Sequence, residues 1–212
     1  MRVQVLVDTP NSWIIPYAEK LVKSLSDLGH ESYLINKHSE VNYGDILCLL
    51  GCEKIFKALY KNRHNLVVHE SDLPKGKGWS PLTWQILDGK NKIPITLFEA
   101  AEGVDSGSIY VKDIIHLKGD ELNDEIKHKQ GKATIDLILR FINGYGSIDG
   151  KTQQGKESFY PRRTPNDSKL DVNKSIAEQF NLLRVCDNER YPAWFVIDGK
   201  KYILKIYRDG KN

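Results

Sequence analysis

At 212 residues with 40% hydrophobic and 28% charged side chains, the chain can bury a sizeable core. That excludes wholesale disorder and fits one full domain plus a small appendage better than two equal domains. A formal net charge of +3 argues for no strong nucleic-acid binding, and no apolar run approaches the roughly 20 residues that span a bilayer.

The opening residues 1–8 read as a strand with no small-residue cleavage site, not as a signal peptide. The cysteines Cys48, Cys52 and Cys186 form an odd set, and Cys48-x3-Cys52 lacks a second pair. Neither zinc nor a disulfide framework is expected, and the expected compartment is the reducing cytoplasm. Val3 to Val7 predicts a strand buried on both faces. After Thr9-Pro10-Asn11, Ile14, Ile15, Ala18, Leu21, Val22 and Leu25 recur at helical spacing, and Gly29 stops the helix. Ser32 to Ile35 predicts a second strand and Ile46 to Leu50 a third, ending at Gly51. A helix is expected over roughly 53–60, then a fourth strand, Leu66 to His69. Strands alternating with helices predict a parallel, Rossmann-like sheet, whose ligands bind at the carboxyl ends of strands, where His69 falls.

A short helix is expected to run to Leu87 from a cap at Ser80 or Thr83, closed by Asp88-Gly89. Ile95 to Glu99 and Ile109 to Val111 predict strands on either side of a turn at Asp105. The span 121–142 is helical in period, with Gly131 a candidate break. Residues 144–158 are polar and glycine-rich, a predicted linker. Beyond them, 175–185 predicts a helix and 195–204 a hairpin around Asp198-Gly199, whose edge offers pairing to a second copy. No Gly-x-Gly-x-x-Gly loop is present, which argues against a dinucleotide. Residues 151–212 carry 13 Lys/Arg against 8 Asp/Glu, net +5, leaving 18 against 20, net −2, for residues 1–150. The basic tail favours a phosphate-bearing ligand, although a solvated surface explains it about as well.

The chemistry concentrates in His69-Glu70-Ser71-Asp72-Leu73-Pro74-Lys75-Gly76-Lys77-Gly78, followed 36 residues after the histidine by Gly103-Val104-Asp105-Ser106-Gly107. A histidine at a strand end and a carboxylate from a second turn are what a general base and its orienting partner require. Taken alone, each has a plainer explanation: a hydrogen-bonded structural histidine, and an aspartate that forms a turn.

With Ser80-Pro81, Trp84, Gly89 and Thr96, these residues resemble the formyltransferase family that uses 10-formyltetrahydrofolate. The family pattern runs approximately Asn-x-His-x-Ser-x-Leu-Pro, a basic glycine loop, then an Asp-Thr/Ser-Gly turn. Coverage is about residues 1–143, strongest over 65–112. Tyr160-Pro161-Arg162-Arg163-Thr164-Pro165-Asn166-Asp167-Ser168 and Tyr191-Pro192-Ala193 are similar to the region after the catalytic domain in enzymes that formylate nucleotide-linked amino sugars.

The resemblance implies an α/β fold with a truncated Rossmann-like formyltransferase domain over 1–143, a linker over 144–158 and a small α+β subdomain over 159–212. It implies transfer of a formyl group from 10-formyltetrahydrofolate, without a metal, to the amine of a UDP- or dTDP-linked 4-amino-4,6-dideoxy sugar in surface glycan biosynthesis. Methionyl-tRNA formylation is the second reading and a binder of folate or sugar nucleotide without turnover the third. His69 would be the base, with Asp105 as its carboxylate partner. The family asparagine two residues before the histidine is replaced by Val67. Asn65, one strand repeat further back and roughly 7 Å away, reaches only through a bulge. Leu50, Gly51, Ser71, Leu73 and Val104 would contact the folate, and Lys75, Lys77, Trp79 and Pro81 the sugar nucleotide. Arg162 and Arg163 suit a diphosphate clamp or pairing with Asp167 or Asp171, and Cys48 suits an inert core thiol.

Overall fold

The computed structural model of the chain describes residues 1–210. Its centre is a six-stranded sheet in the order β2-β1-β3-β4-β6-β7. These strands are β1 (Arg2–Leu6), β2 (Glu31–Ile35), β3 (Gly44–Leu49), β4 (Asn62–His69), β6 (Lys92–Glu99) and β7 (Ile109–His116), with the short β5 (Lys77–Gly78) in the loop after β4. The first four run parallel, as their alternation with other segments requires. β6 pairs antiparallel with β4, and β7 antiparallel with β6, so the sheet is mixed and not the wholly parallel one expected. Between β4 and β6 the chain carries β5 and the short helix α2 (Pro81–Leu87), which Gln85 ties to the Glu70 carbonyl, so it stays at the carboxyl end of β4 and β6 returns from there.

One sheet face carries the main core. Val3, Val5, Ile46, Cys48 and Leu66 meet Ala18, Leu21 and Leu25 of α1 (Ile15–Asp27) and Leu137, Ile138 and Phe141 of α3 (Asn123–Asn143). Pro16 sits in the first turn of α1, where its missing N–H leaves no bond unmade. Burial pushes the Cys48 thiol up to about 12, as befits a core side chain. No helix among the described residues is long and apolar enough to cross a membrane.

The helix expected over 53–60 does not form; only a 3₁₀ turn, Leu59–Lys61, is present. Two interactions replace it. The Asp8 carboxylate takes the backbone N–H groups of Glu53 and Lys54 at 2.9 and 3.0 Å, and Phe56 is buried on the opposite sheet face with Leu6, Ile35, Val41 and Leu47. Ile55 points outward, so the segment has no apolar stripe to bury as a helix.

α3 runs through Gly131 without a break. A Cβ at that position would lie 2.5 Å from the Tyr17 ring, so the glycine serves close approach of α1 and α3. The helix expected over 175–185 is divided into a 3₁₀ turn, Ala177–Gln179, and α4 (Phe180–Val185). The predicted hairpin is present as β9 (Ala193–Ile197) and β10 (Lys200–Leu204), with Asp198 and Gly199 both at positive φ. It packs on Leu170, Leu183 and Cys186.

Gly131→Ala therefore separates propensity from packing. Alanine favours the helix by about 1 kcal/mol, whereas overpacking a tight contact costs about 1–3 kcal/mol. The substitution is expected to lower the thermal midpoint in the parent and to raise it in a Tyr17→Ala background. A rise in both would show that the helix contact has room.

Candidate active site

His69 is the last residue of β4, and Thr96 of β6 faces it across the ladder. Because β6 runs antiparallel, it carries the chain away from the histidine, until Glu99 lies opposite Leu66. The turn over 100–108 must fold back to return Asp105, and it does: Asp105 Oδ2 lies 3.6 Å from His69 Nε2, both side chains largely buried. Asp105 takes φ +47°, the left-handed region that aspartate tolerates better than most residues. The two residues the sequence singles out, 36 apart, are thus brought together.

The hydrogen bonds assign the ring. His69 Nε2 is 2.9 Å from the Gly76 carbonyl, which can only accept, so Nε2 carries a proton and the neutral ring keeps its lone pair on Nδ1. The Gly76 carbonyl, and not Asp105 as expected, therefore fixes the tautomer. The Asp105 carboxylate accepts the Gly78 N–H at 2.9 Å and contributes its charge to the ring, which matters most when the imidazole is a cation. Gly78 has φ +93°, and a Cβ there would lie 2.6 Å from the Tyr160 carbonyl oxygen, so only glycine fits.

The sequence does not single out Glu70, the residue after the histidine. Its Oε1 accepts the Gln130 side-chain N–H at 2.7 Å, and its carbonyl accepts the Gln85 side chain at 2.7 Å, which joins α3 and α2 to the loop. Burial pushes the Glu70 carboxyl up; the nearby His69 and the Gln130 bond oppose this, and the Asp105 charge reinforces it.

The remaining predicted residues divide. Leu50 is buried at the end of β3 and Gly51 follows it at positive φ, on the carboxyl edge of the sheet where β4 also ends. Ser71 is buried and its hydroxyl has no partner, while its carbonyl accepts Thr96 Oγ1 at 2.7 Å. Leu73 is buried, and Val104 exposes its side chain on the Asp105 turn. Asn65 does not reach the histidine: its Nδ2 donates to the Leu59 carbonyl at 2.9 Å and its backbone N–H to Glu99. No bulge in β4 moves it, since β3 and β4 pair in unbroken register from Ile46 to Leu49. Lys75 is exposed, whereas Lys77, expected to contact the sugar nucleotide, is buried and its ammonium is bound by Glu157. Pro81 is buried in the first turn of α2. Trp79 is half-exposed and lies under the Arg162 guanidinium, 4.6 Å from the ring centroid. Arg163 instead donates to the Asp167 carbonyl at 3.0 Å.

The site also contains a segment that the sequence presents only as a linker. Lys151 bridges to Ile109 of β7, and Gln153 donates from Nε2 to the carbonyls of Asp105 and Gly107 at 2.8 and 2.9 Å. The short β8 (Phe159–Tyr160) then pairs in parallel with β5. Polar residues in a glycine-rich stretch carry no periodicity, so nothing in the sequence marks these contacts.

A model of the formyl transferase family matches residues 27–142, more than half of the chain. The chain belongs to that family. Methionyl-tRNA formyltransferase of Thermosipho melanesiensis is 31% identical over 144 residues, which are 68% of this chain and 47% of that protein. The chain spans about half the length of the curated relatives it matches. Among solved structures, methionyl-tRNA formyltransferase from Clostridium thermocellum superposes with a TM-score of 0.82 at 21% identity, covering 100% of this chain and 95% of that one. A sugar N-formyltransferase from Shewanella gives 0.70 at 17% identity, covering 100% and 99%. HypX from Aquifex aeolicus with tetrahydrofolic acid gives 0.79 at 17%, covering 97% and 37%. At these identities the structures speak to the fold, a formyltransferase α/β domain with a small carboxyl-terminal sheet. The family takes its formyl group from 10-formyltetrahydrofolate.

The Glu70 environment sets a pH-dependent test. An acid whose folded pKa lies above its unfolded value of 4.5 binds more protons folded than unfolded, so its contribution to stability falls as pH rises through that window. Glu70→Gln removes the loss. The variant is expected to gain in thermal midpoint over the parent as pH is raised from about 4 to about 8. A difference constant with pH would show that Glu70 ionises as freely folded as unfolded.

Proposed function

We propose that this protein transfers a formyl group from 10-formyltetrahydrofolate to the primary amine of a nucleotide-linked amino sugar. A 4-amino-4,6-dideoxyhexose on UDP or dTDP, destined for a surface glycan, is the acceptor that suits it, and the cytoplasm the place of reaction. The observation that carries formyl transfer is the His69–Asp105 pair, 3.6 Å apart at the carboxyl edge of a formyl transferase fold. The choice of a phosphate-bearing small acceptor rests on Arg162, which lies on Trp79 immediately after the His69 loop. No carboxylate forms an ion pair with it among the described residues.

The residues fit a folate: the buried Ser71 hydroxyl has no protein partner, and the exposed Val104 offers an apolar contact for a ring. Leu50, Gly51 and Leu73 would complete that side. When bound, 10-formyltetrahydrofolate supplies a formyl carbon that an amine can attack. The protein's part is to hold the acceptor and manage the proton. His69 accepts the amine proton on Nδ1, since Nε2 is already committed to Gly76, and would return it to the folate nitrogen as the bond from that nitrogen to the formyl carbon breaks. The imidazolium so formed is balanced by the Asp105 carboxylate, itself held by the Gly78 N–H. Lys75, Trp79 and Arg162 stand where they can meet the nucleotide part.

A second reading, methionyl-tRNA as acceptor, is favoured by the 31% identity to a methionyl-tRNA formyltransferase. One experiment weighs both. The full chain is given 10-formyltetrahydrofolate with a panel of UDP- and dTDP-linked amino sugars, and separately with charged initiator tRNA, and products are read by mass spectrometry. A formylated sugar is expected, with His69→Ala and Asp105→Ala each slower by on the order of 10²–10⁴. Formylation of tRNA alone, steeply salt-dependent, would replace the proposal with the second reading. Folate binding without any product would point to a binder without turnover.

A further inference from the structure

Residues 151–160 lie outside the span matched by the family model, yet they touch both supports of the His69–Asp105 pair. At one end, Ser158 Oγ accepts the Gly76 N–H at 2.9 Å, and the Ser158 carbonyl accepts the Lys77 N–H at 2.9 Å. Gly76 is the residue whose carbonyl takes the His69 Nε2 proton. At the other end, the two hydrogens of the Gln153 amide go to the carbonyls of Asp105 and Gly107, on either side of Ser106. Gln153 Oε1 is buried and has no partner. A buried acceptor left unsatisfied is costly, so this amide is oriented by what its nitrogen does. Between these ends, Glu157 binds Lys77 and β8 pairs with β5, which seats Gly78, the donor to Asp105.

We infer that Gln153 and Ser158 are positioning residues for the catalytic pair: Ser158 sets the Gly76 carbonyl that fixes the His69 tautomer, and Gln153 holds the Asp105 turn in its left-handed backbone. The inference rests on the reading of His69 and Asp105 as the reacting base and its partner. Neither residue touches the reacting atoms. Both act by keeping one ring nitrogen protonated and one carboxylate within 3.6 Å of it. A purely structural strap would add stability without governing the ring.

The test uses the full chain labelled with ¹⁵N-histidine, with His69→Ala to assign the ring signals. Gln153→Glu keeps the shape and removes both donors. Ser158→Ala removes the acceptor, and Ser158→Thr restores it. In the parent, His69 is expected to show the Nε2–H tautomer. Ser158→Ala and Gln153→Glu are expected to shift its signals toward a tautomer mixture, and Ser158→Thr to return them. With whichever acceptor the panel identifies, kcat is expected to fall on the order of 10²-fold in the first two variants, with KM little changed. His69 signals unmoved in both variants, or a kcat loss that merely follows a fall in thermal midpoint, would overturn the inference. The ring signals need no substrate, so they report on Gln153 and Ser158 whichever acceptor is formylated. Activity surviving in His69→Ala would overturn the underlying reading instead.

Discussion

The Asp105 carboxylate accepts the Gly78 N–H and faces His69 from the same oxygen, and most of the site's architecture exists to keep it there. The sheet works against this arrangement. β6 turns back along β4, so every residue after Thr96 moves away from the histidine, and the chain must reverse over nine residues to bring the carboxylate home. A reversal of that length has no ladder of its own. Its left-handed aspartate is held by the Gly78 N–H, by the Gln153 amide and by the Glu99 N–H bond to the Ser108 carbonyl. Gly78 in turn must approach the Tyr160 carbonyl so closely that no side chain is admitted.

The same economy of hydrogen bonds explains the ring. A histidine at a strand end is free to rotate unless one nitrogen is committed, and here a backbone carbonyl makes the commitment. A carbonyl cannot become a donor, so the tautomer does not depend on the protonation of a neighbouring acid. Glu70 shows the contrast. Its carboxyl lies one residue away, is pushed up by burial against the opposing pull of His69, and is tied to α3 through Gln130, so it helps to seat the loop.

Much of this is legible in the amino-acid sequence where a local rule applies. The first four strands, α1, α3, the Asp198-Gly199 hairpin and the pairing of His69 with Asp105 follow from periodicity, turn residues and the family pattern. The failures have equally local causes. Where a helix is expected near residue 55, the chain follows an irregular path pinned by Phe56 on the sheet and by Asp8, a residue 45 positions from Glu53, which no window of sequence reveals. Gly131 reads as a break by propensity but is a contact with Tyr17. Lys77 reads as a contact for the sugar nucleotide, but its ammonium is taken by Glu157, 80 residues away in sequence. Asn65 shares a strand face with Val67 and His69, but its amide is taken by the Leu59 carbonyl. In each case a polar or packing partner outside the local pattern outweighs the local signal.

The segment after residue 150 joins the surroundings of His69, those of Asp105 and the surface beside them. Its first part reaches the Asp105 turn through Gln153, and its middle accepts the Gly76 N–H on Ser158 Oγ. Its end places Arg162 over Trp79 and stacks Tyr160 beside Trp84, with ring planes 9° apart. One run of about a dozen residues thus bears on the surroundings of His69, the seating of the loop and the Arg162–Trp79 contact. Because one run of chain meets both the Gly76 loop and the Asp105 turn, a change in its path bears on both neighbours of His69 at once.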